Sequence, residues 1–130
     1  MNTRAERVEL GRRLEGLSGI YVLYEGNRPM YVGRSANLKE RVSEHGRAGA
    51  KENATLAFNL TRDSSPEFRL GTREGLWFDS RFERQFKLEI ERVKQMIVRV
   101  VEVTDSIEQT VFEVYAAMTL DTPYNTFDTH

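Results

Sequence analysis

Five side chains of the sequence have types and spacings that could carry out chemistry: Tyr21, Tyr31, Arg41, His45 and Glu113. The two tyrosines are ten positions apart, on either side of a turn. Arg41 and His45 are four positions apart, so both lie on one stripe of a helix, where a guanidinium beside an imidazole suits a phosphate oxygen. Glu113 is the only charged residue between positions 109 and 120. An ionised carboxylate in such apolar surroundings requires a compensating cation.

Each group also has a structural explanation, which the residues alone leave open. A pair of tyrosines on neighbouring strands can be simple packing. The stripe of Arg41 and His45 can be a solvated face with Glu40 and Glu44 as its partners. Glu113 can form a salt bridge with an arginine such as Arg41, or it can bind a divalent metal. Oxygen ligands suit Mg²⁺, which keeps several waters and needs only one or two carboxylates.

The tyrosines lie in a predicted hairpin. Residues 19–25 and 29–34 are rich in Ile, Val and Tyr and flank turn residues, which predicts two antiparallel strands. A three-residue loop, Glu25-Gly26-Asn27, places Tyr21 directly opposite Tyr31 on one face of the sheet, whereas a two-residue turn would place them on opposite faces. We therefore predict the odd loop, with the two phenols side by side.

The remaining elements predict an α+β fold with helices packed on a small sheet. The other predicted elements are a strand over 96–103, a loop over 63–75, and helices over 3–14, 37–46, 52–63, the segment after Asp79 and the segment after Asp105. Apolar residues from Phe78 to Val93 recur at helical spacing and predict one buried side of the fourth helix. The last helix is apolar nearly all round, which predicts that it is buried.

Composition is that of an ordinary soluble globular protein, with 39% hydrophobic and 30% charged residues, and residues 1–130 are predicted to form one domain. The absence of cysteine excludes disulfides, zinc–thiolate sites and thiol nucleophiles. No apolar run approaches the roughly 20 residues that span a membrane. The N-terminal segment has no apolar core of a signal peptide, so the predicted location is the cytoplasm.

In chain order, the motifs resemble those of the GIY-YIG nuclease domain, a family that includes excision-repair nuclease subunits and homing endonucleases. The matching features are GIY, YVG ten residues on, Arg41, His45, Glu113 and Asn125. Each motif alone is weak, but the residue types and spacings agree over a motif core of residues 18–125. The resemblance implies a central three-stranded antiparallel sheet flanked by helices, and metal-dependent hydrolysis of a phosphodiester bond.

The resemblance also implies a role for each matched residue. Tyr21 would be the general base with His45 assisting, although the sequence does not exclude exchanged roles for the two tyrosines. Glu113 would hold one Mg²⁺ or Mn²⁺, and Arg41 would neutralise charge on the phosphate. Two further matches are predicted to bind substrate, namely Arg34 and Asn125.

The segment of about 50–95 is longer than in minimal members of the family. It is either an insertion that reads the substrate or part of a larger core. The predicted substrate is DNA, with single strands favoured over duplex because the net charge of −1 argues against nonspecific wrapping. Trp77 or Phe68 could stack on bases. The oligomeric state is left open. The alternatives are a non-catalytic nucleic-acid-binding or protein-interaction module, and a partner subunit whose acidic segment 101–130 docks on a basic protein.

Overall fold

The computed structural model describes residues 3–51 and 53–125. Their elements are, in order, α1 (Arg4–Leu14), β1 (Gly19–Glu25), β2 (Arg28–Ser35), α2 (Leu38–His45), α3 (Thr55–Asp63), α4 (Pro66–Leu70), α5 (Arg73–Trp77), α6 (Ser80–Lys94), β3 (Ile97–Glu102) and α7 (Ser106–Leu120). The predicted α+β class is confirmed. Across these described ranges, no helix has both the length and the apolar character needed to cross a membrane.

The three strands form one antiparallel sheet in the order β2-β1-β3, so β1 is the central strand. Gly19 begins β1 at a point where β3 approaches closely. A Cβ atom at Gly19 would clash with the carbonyl oxygen of Val101 and crowd the amide nitrogen of Val103. The glycine of the GIY motif therefore allows the central strand to pair with β3.

By its internal contacts the chain divides into two compact units. The sheet unit consists of residues up to 43 and from 95 onward, and the helical unit consists of residues 44–94. In the sheet unit, α7 packs on one face of the sheet, where Ile20 and Val32 meet Ala116 and Ala117. Two small alanines on the helix leave room for close contact with the strands.

The helical unit has an aromatic core. Its rings pack with centroids 5.0 to 5.4 Å apart, mostly edge to face, and they belong to Phe58, Phe68, Trp77, Phe82 and Phe86. Such edge-to-face pairs add to the stability gained by burying apolar area. Phe68 is only 7% exposed, so the prediction that its ring stacks on bases is wrong. Trp77 is half-buried in the same cluster.

The prediction of a loop over 63–75 is wrong, because this segment contains the short helix α4 and the beginning of α5. Pro66 occupies the first turn of α4, where its missing N–H costs nothing. The Thr72 hydroxyl accepts a hydrogen bond from the Gly75 N–H at the start of α5. The stretch predicted to be a loop thus contains the starts of two helices.

The predicted burial of the last helix is also wrong in part. The Asp105 carboxylate does cap α7, accepting hydrogen bonds from two N–H groups. One stripe of α7 nevertheless faces solvent, and its most exposed apolar members are Ile107, Val111, Tyr115 and Met118. A helix on a single sheet buries one side only, so apolar composition all round does not imply burial. Phe78, predicted to belong to the buried side of the fourth helix, lies just before α6 and is 91% exposed.

Candidate active site

The hairpin turns through two residues, not three. Strand β1 ends at Glu25, which pairs with Arg28, so the predicted three-residue loop is wrong. Gly26 has a φ of 60°, which suits the first position of a tight hairpin turn. The register then shifts by one residue, because Tyr24 pairs with Pro29 but Leu23 pairs with Tyr31.

Met30 is the extra residue of this bulge in β2. The bulge supplies the odd unpaired residue that the two-residue turn lacks, so Tyr21 and Tyr31 share one face of the sheet. They are not directly opposite, as predicted, but diagonal neighbours, because Tyr21 pairs with Gly33. Their ring centroids are 6.3 Å apart and the rings are inclined by 40°.

The ring of Tyr21 lies over Gly33. A Cβ atom at position 33 would clash with the Cζ and hydroxyl oxygen of Tyr21. The glycine of the YVG motif thus leaves room on β2 for the Tyr21 ring and its hydroxyl. Tyr21 is 1% exposed, whereas Tyr31 is half-buried.

Arg41 extends from α2 and donates a hydrogen bond to the Tyr21 hydroxyl. Asn37 caps this helix, since its side-chain oxygen accepts from the Glu40 N–H at 3.3 Å. Burial and then Tyr31 raise the pKa of the Tyr21 phenol far above its ordinary value of 10; Arg41 opposes this, and the charge of Glu113 adds to it. Tyr21 is therefore a neutral phenol at pH 7 in this structure, which does not favour its predicted role as general base.

Tyr21 also predicts a pH dependence of stability. A phenol whose pKa is raised on folding holds its proton more tightly in the native state. The contribution of Tyr21 to the free energy of unfolding is therefore complete below pH 10 and is lost as the pH rises further. The free energy of unfolding should fall by up to about 1.4 kcal/mol per pH unit in that range. Urea unfolding of the parent and of Tyr21→Phe measures this, with the exposed Tyr115→Phe as control. A parent and a Tyr21→Phe variant with the same alkaline slope would contradict the prediction.

Glu113 lies on the opposite side of the sheet from the tyrosines. It belongs to the side of α7 that packs on the sheet, and its Oε1 is 3.8 Å from the Nε of Arg34. Arg34 pairs with Ile20 in the register, so it projects from the same face as Val32. Burial raises the pKa of the Glu113 carboxyl, and Arg34 opposes the shift.

The side chains on the two faces of the edge strand β2 interact electrostatically. The charge of Glu113 helps to raise the pKa of Tyr21, whose hydroxyl lies over Gly33. Tyr21, Tyr31 and Arg41 thus lie on one side of the strand, and Arg34 and Glu113 on the other. The salt-bridge partner of Glu113 is Arg34, not Arg41, which sequence reasoning missed. The alternation of side chains along β2 is the signal that separates Arg34 from Tyr31.

Asn125 binds the backbone of β2. Its Oδ1 accepts a hydrogen bond from the Val32 N–H at 2.7 Å, and its Nδ2 donates to the Val32 carbonyl at 2.7 Å. The Thr122 hydroxyl donates to the same Oδ1 at 2.8 Å. Asn125 therefore holds the strand that carries Tyr31, Gly33 and Arg34. Its contact with substrate stays a prediction.

A search of solved structures returned a similar domain: the GIY-YIG N-terminal endonuclease domain of UvrC from Thermotoga maritima, a point mutant bound to its catalytic divalent cation. The TM-score is 0.53 at 12% identity, with 96% of this chain and 100% of that chain covered. This chain has a GIY-YIG-like fold. No protein-family model matches the chain, and no curated protein matches it in sequence.

In the GIY-YIG-like fold described here, His45 ends α2 and is fully buried. It belongs to the helical unit, whereas the other four candidate side chains, Tyr21, Tyr31, Arg41 and Glu113, belong to the sheet unit. The role of His45 in assisting the base stays a prediction.

The carboxylate of Glu113 fits a hard cation whose other ligands are mostly waters. Among residues 3–51 and 53–125, no three His, Cys, Asp or Glu side chains form a cluster that could enclose a metal. Glu113 is a single carboxylate, with its side chain 20% exposed. One carboxylate with waters is sufficient for Mg²⁺, and burial of the charge favours a nearby cation.

Proposed function

We propose that this chain is a metal-dependent endonuclease that hydrolyses phosphodiester bonds in DNA. The observation that carries the proposal is the setting of Tyr21: its ring lies over Gly33 on the edge strand, Arg41 donates a hydrogen bond to its hydroxyl, and the charge of Glu113 acts on it from the other side of the sheet. A buried phenol, a guanidinium and a carboxylate together suit a phosphate group: two donors for its oxygens and one ligand for a cation. The similarity in fold to a UvrC endonuclease domain supports this function.

The protonation state of the site suggests how the roles divide. Tyr21 stays protonated at pH 7, so its hydroxyl donates a hydrogen bond to a phosphate oxygen or to the attacking water. Arg41 faces that hydroxyl and neutralises charge that develops on the phosphate. Tyr31 is the more exposed phenol, so we assign it the role of general base: it first releases its own proton to solvent, and the phenolate then accepts the proton of the attacking water, with His45 assisting.

Glu113 is the residue that would hold Mg²⁺ or Mn²⁺, and such an ion supplies charge stabilisation at the phosphate and leaving oxygen. Arg34 lies at 3.8 Å from this carboxylate and shares its face of the sheet. If Glu113 held such an ion, Arg34 would be the residue on that face to bind a phosphate oxygen. Asn125 then acts through Val32, by fixing the strand that carries Tyr31 and Arg34.

The proposed substrate is DNA, with single strands preferred to duplex because the chain has a net charge of −1. The test is cleavage of labelled single-stranded, duplex and junction DNA with Mg²⁺ or Mn²⁺ against EDTA. We expect cleavage that requires the metal and is fastest on unpaired strands. A protein that binds DNA but cuts none of these substrates with either metal would overturn the enzymatic function.

A protein-interaction module is the second candidate. The observation that favours it is the exposed apolar stripe of α7, in which Ile107 is 74% and Met118 is 73% exposed. The same cleavage panel separates the two functions, because a module without catalysis leaves every substrate intact.

A further inference from the structure

A basic groove runs through the helical unit. We use this name for the open cleft of about 880 Å³ between residues 46–50 and one side of α6. Three cations line it, Arg47, Lys87 and Lys94, against the single carboxylate of Glu91. On α6, Glu91 lies four residues after Lys87, and Lys94 lies three residues after Glu91. The three side chains therefore form one stripe along the helix.

The length of the stripe suits a chain of phosphates better than a single small anion. Lys87 and Lys94 are separated by seven residues, or about 10 Å along the helix axis at 1.5 Å per residue. A nucleic-acid strand advances by about 3.4 Å per nucleotide, so the stripe spans about three nucleotides. The spacing of positive charge therefore matches an extended polyanion.

Gly49 faces open space. A Cβ atom at this position would meet no atom within 4 Å. The residue lies in the turn that follows α2, where the Ala50 N–H donates a hydrogen bond to the Arg47 carbonyl. A side chain can therefore be added at position 49 without a clash, which makes this position a probe of the groove.

We infer that the basic groove binds the phosphodiester backbone of single-stranded DNA. This inference rests on the proposed endonuclease function and adds a second binding site to it. Gly46 follows His45 directly in the sequence, so the groove begins where α2 ends. Arg47, Lys87 and Lys94 contact the phosphates. The glycines and alanines at positions 46 and 48–50 let the strand lie close to the chain.

Glu91 competes with the bound strand. Its Oε1 lies 3.1 Å from the Nζ of Lys94, so a phosphate must displace this carboxylate to use the lysine fully. Removing the negative charge should therefore strengthen binding, whereas removing the positive charges should weaken it. A purely structural role of these surface residues predicts neither change.

The charge test uses fluorescence anisotropy with a labelled single-stranded DNA of about 20 nucleotides in EDTA, over a range of salt. The triple variant Arg47→Gln, Lys87→Gln and Lys94→Gln should bind about tenfold more weakly, with a salt slope smaller by about two. A matched control removes three arginines of the same unit that are ion-paired with carboxylates outside the groove: Arg69→Gln, Arg81→Gln and Arg92→Gln. Equal losses in the two triple variants would overturn the inference.

Two single variants test the groove while its three cations stay in place. Gly49→Leu fills open space and leaves the charge unchanged, so we expect weaker binding, an unchanged salt slope and an unchanged Tm. Glu91→Gln should bind more tightly than the parent. Parental affinity in both variants would overturn the inference even if the charge test shows a loss.

The results also distinguish this inference from the proposed function. A parent that neither binds nor cuts DNA overturns both. A parent that cuts DNA with metal, together with groove variants that bind as the parent does, overturns the groove alone and leaves the endonuclease standing.

Discussion

Glu113→Gln is expected to reduce metal-dependent cleavage by more than about a hundredfold, because a carboxylate that holds the metal is worth several kcal/mol of barrier. The amide keeps the size of the side chain but is a poor ligand for a hard cation. Cleavage under single-turnover conditions with Mg²⁺ and Mn²⁺ measures the effect. Glu108→Gln, an exposed change on the same helix, is the matched control and should cut as the parent does.

The same variant should remain folded. Burial raises the pKa of Glu113, so its ionised form at pH 7 costs stability, and the neutral amide removes that cost. Its partner Arg34 has a side chain that is 43% exposed and can be hydrated when the carboxylate is gone. We expect a Tm in EDTA equal to or above that of the parent. A large loss of stability, or unaltered cleavage, would show that Glu113 serves the ion pair and not a metal.

Gly33→Ala should damage both stability and activity. The added methyl group needs the space occupied by the Tyr21 ring, so the ring or the strand must move. Overpacking of this kind costs about 1–3 kcal/mol. Displacing the Tyr21 hydroxyl from Arg41 should also slow cleavage. Urea unfolding and cleavage rates of this variant measure the two effects.

A double-mutant cycle isolates the clash. In Tyr21→Ala with Gly33→Ala, the ring is absent, so the second alanine should add little further loss of stability. The stability penalty of Gly33→Ala should thus be large with Tyr21 present and small without it, while cleavage stays impaired in both. Additive losses would mean that the ring does not occupy this space.

The hairpin shows what local sequence signals could and could not predict. The strands and the turn residues follow from residue types, and parity requires one odd residue if Tyr21 and Tyr31 are to share a face. The position of the odd residue does not follow from either, because Met30 in the strand has the same effect as a third residue in the loop. Pro29 was the available signal, since a residue without an N–H interrupts a ladder and favours a bulge or an edge strand.

The surroundings of Glu113 depended on packing that no local pattern contains. Helix α7 was predicted from its Asp105 cap and apolar composition, and both its presence and its start are confirmed. Which side meets the sheet is decided by the fit of Ala116 and Ala117 against the strands, and that side carries Glu113. The partner of the carboxylate followed from this fit, together with the face on which Arg34 lies.

The amide of Asn125 has a consequence for the behaviour of the protein in concentrated solution. An edge strand offers unpaired N–H and C=O groups on which another chain can add a strand, and this is a common route to aggregation. On β2, the side chain of Asn125 occupies both groups of Val32, as a neighbouring strand would. One amide thereby takes up a pair of edge groups beside the tyrosines, and this disfavours the addition of another strand at that point.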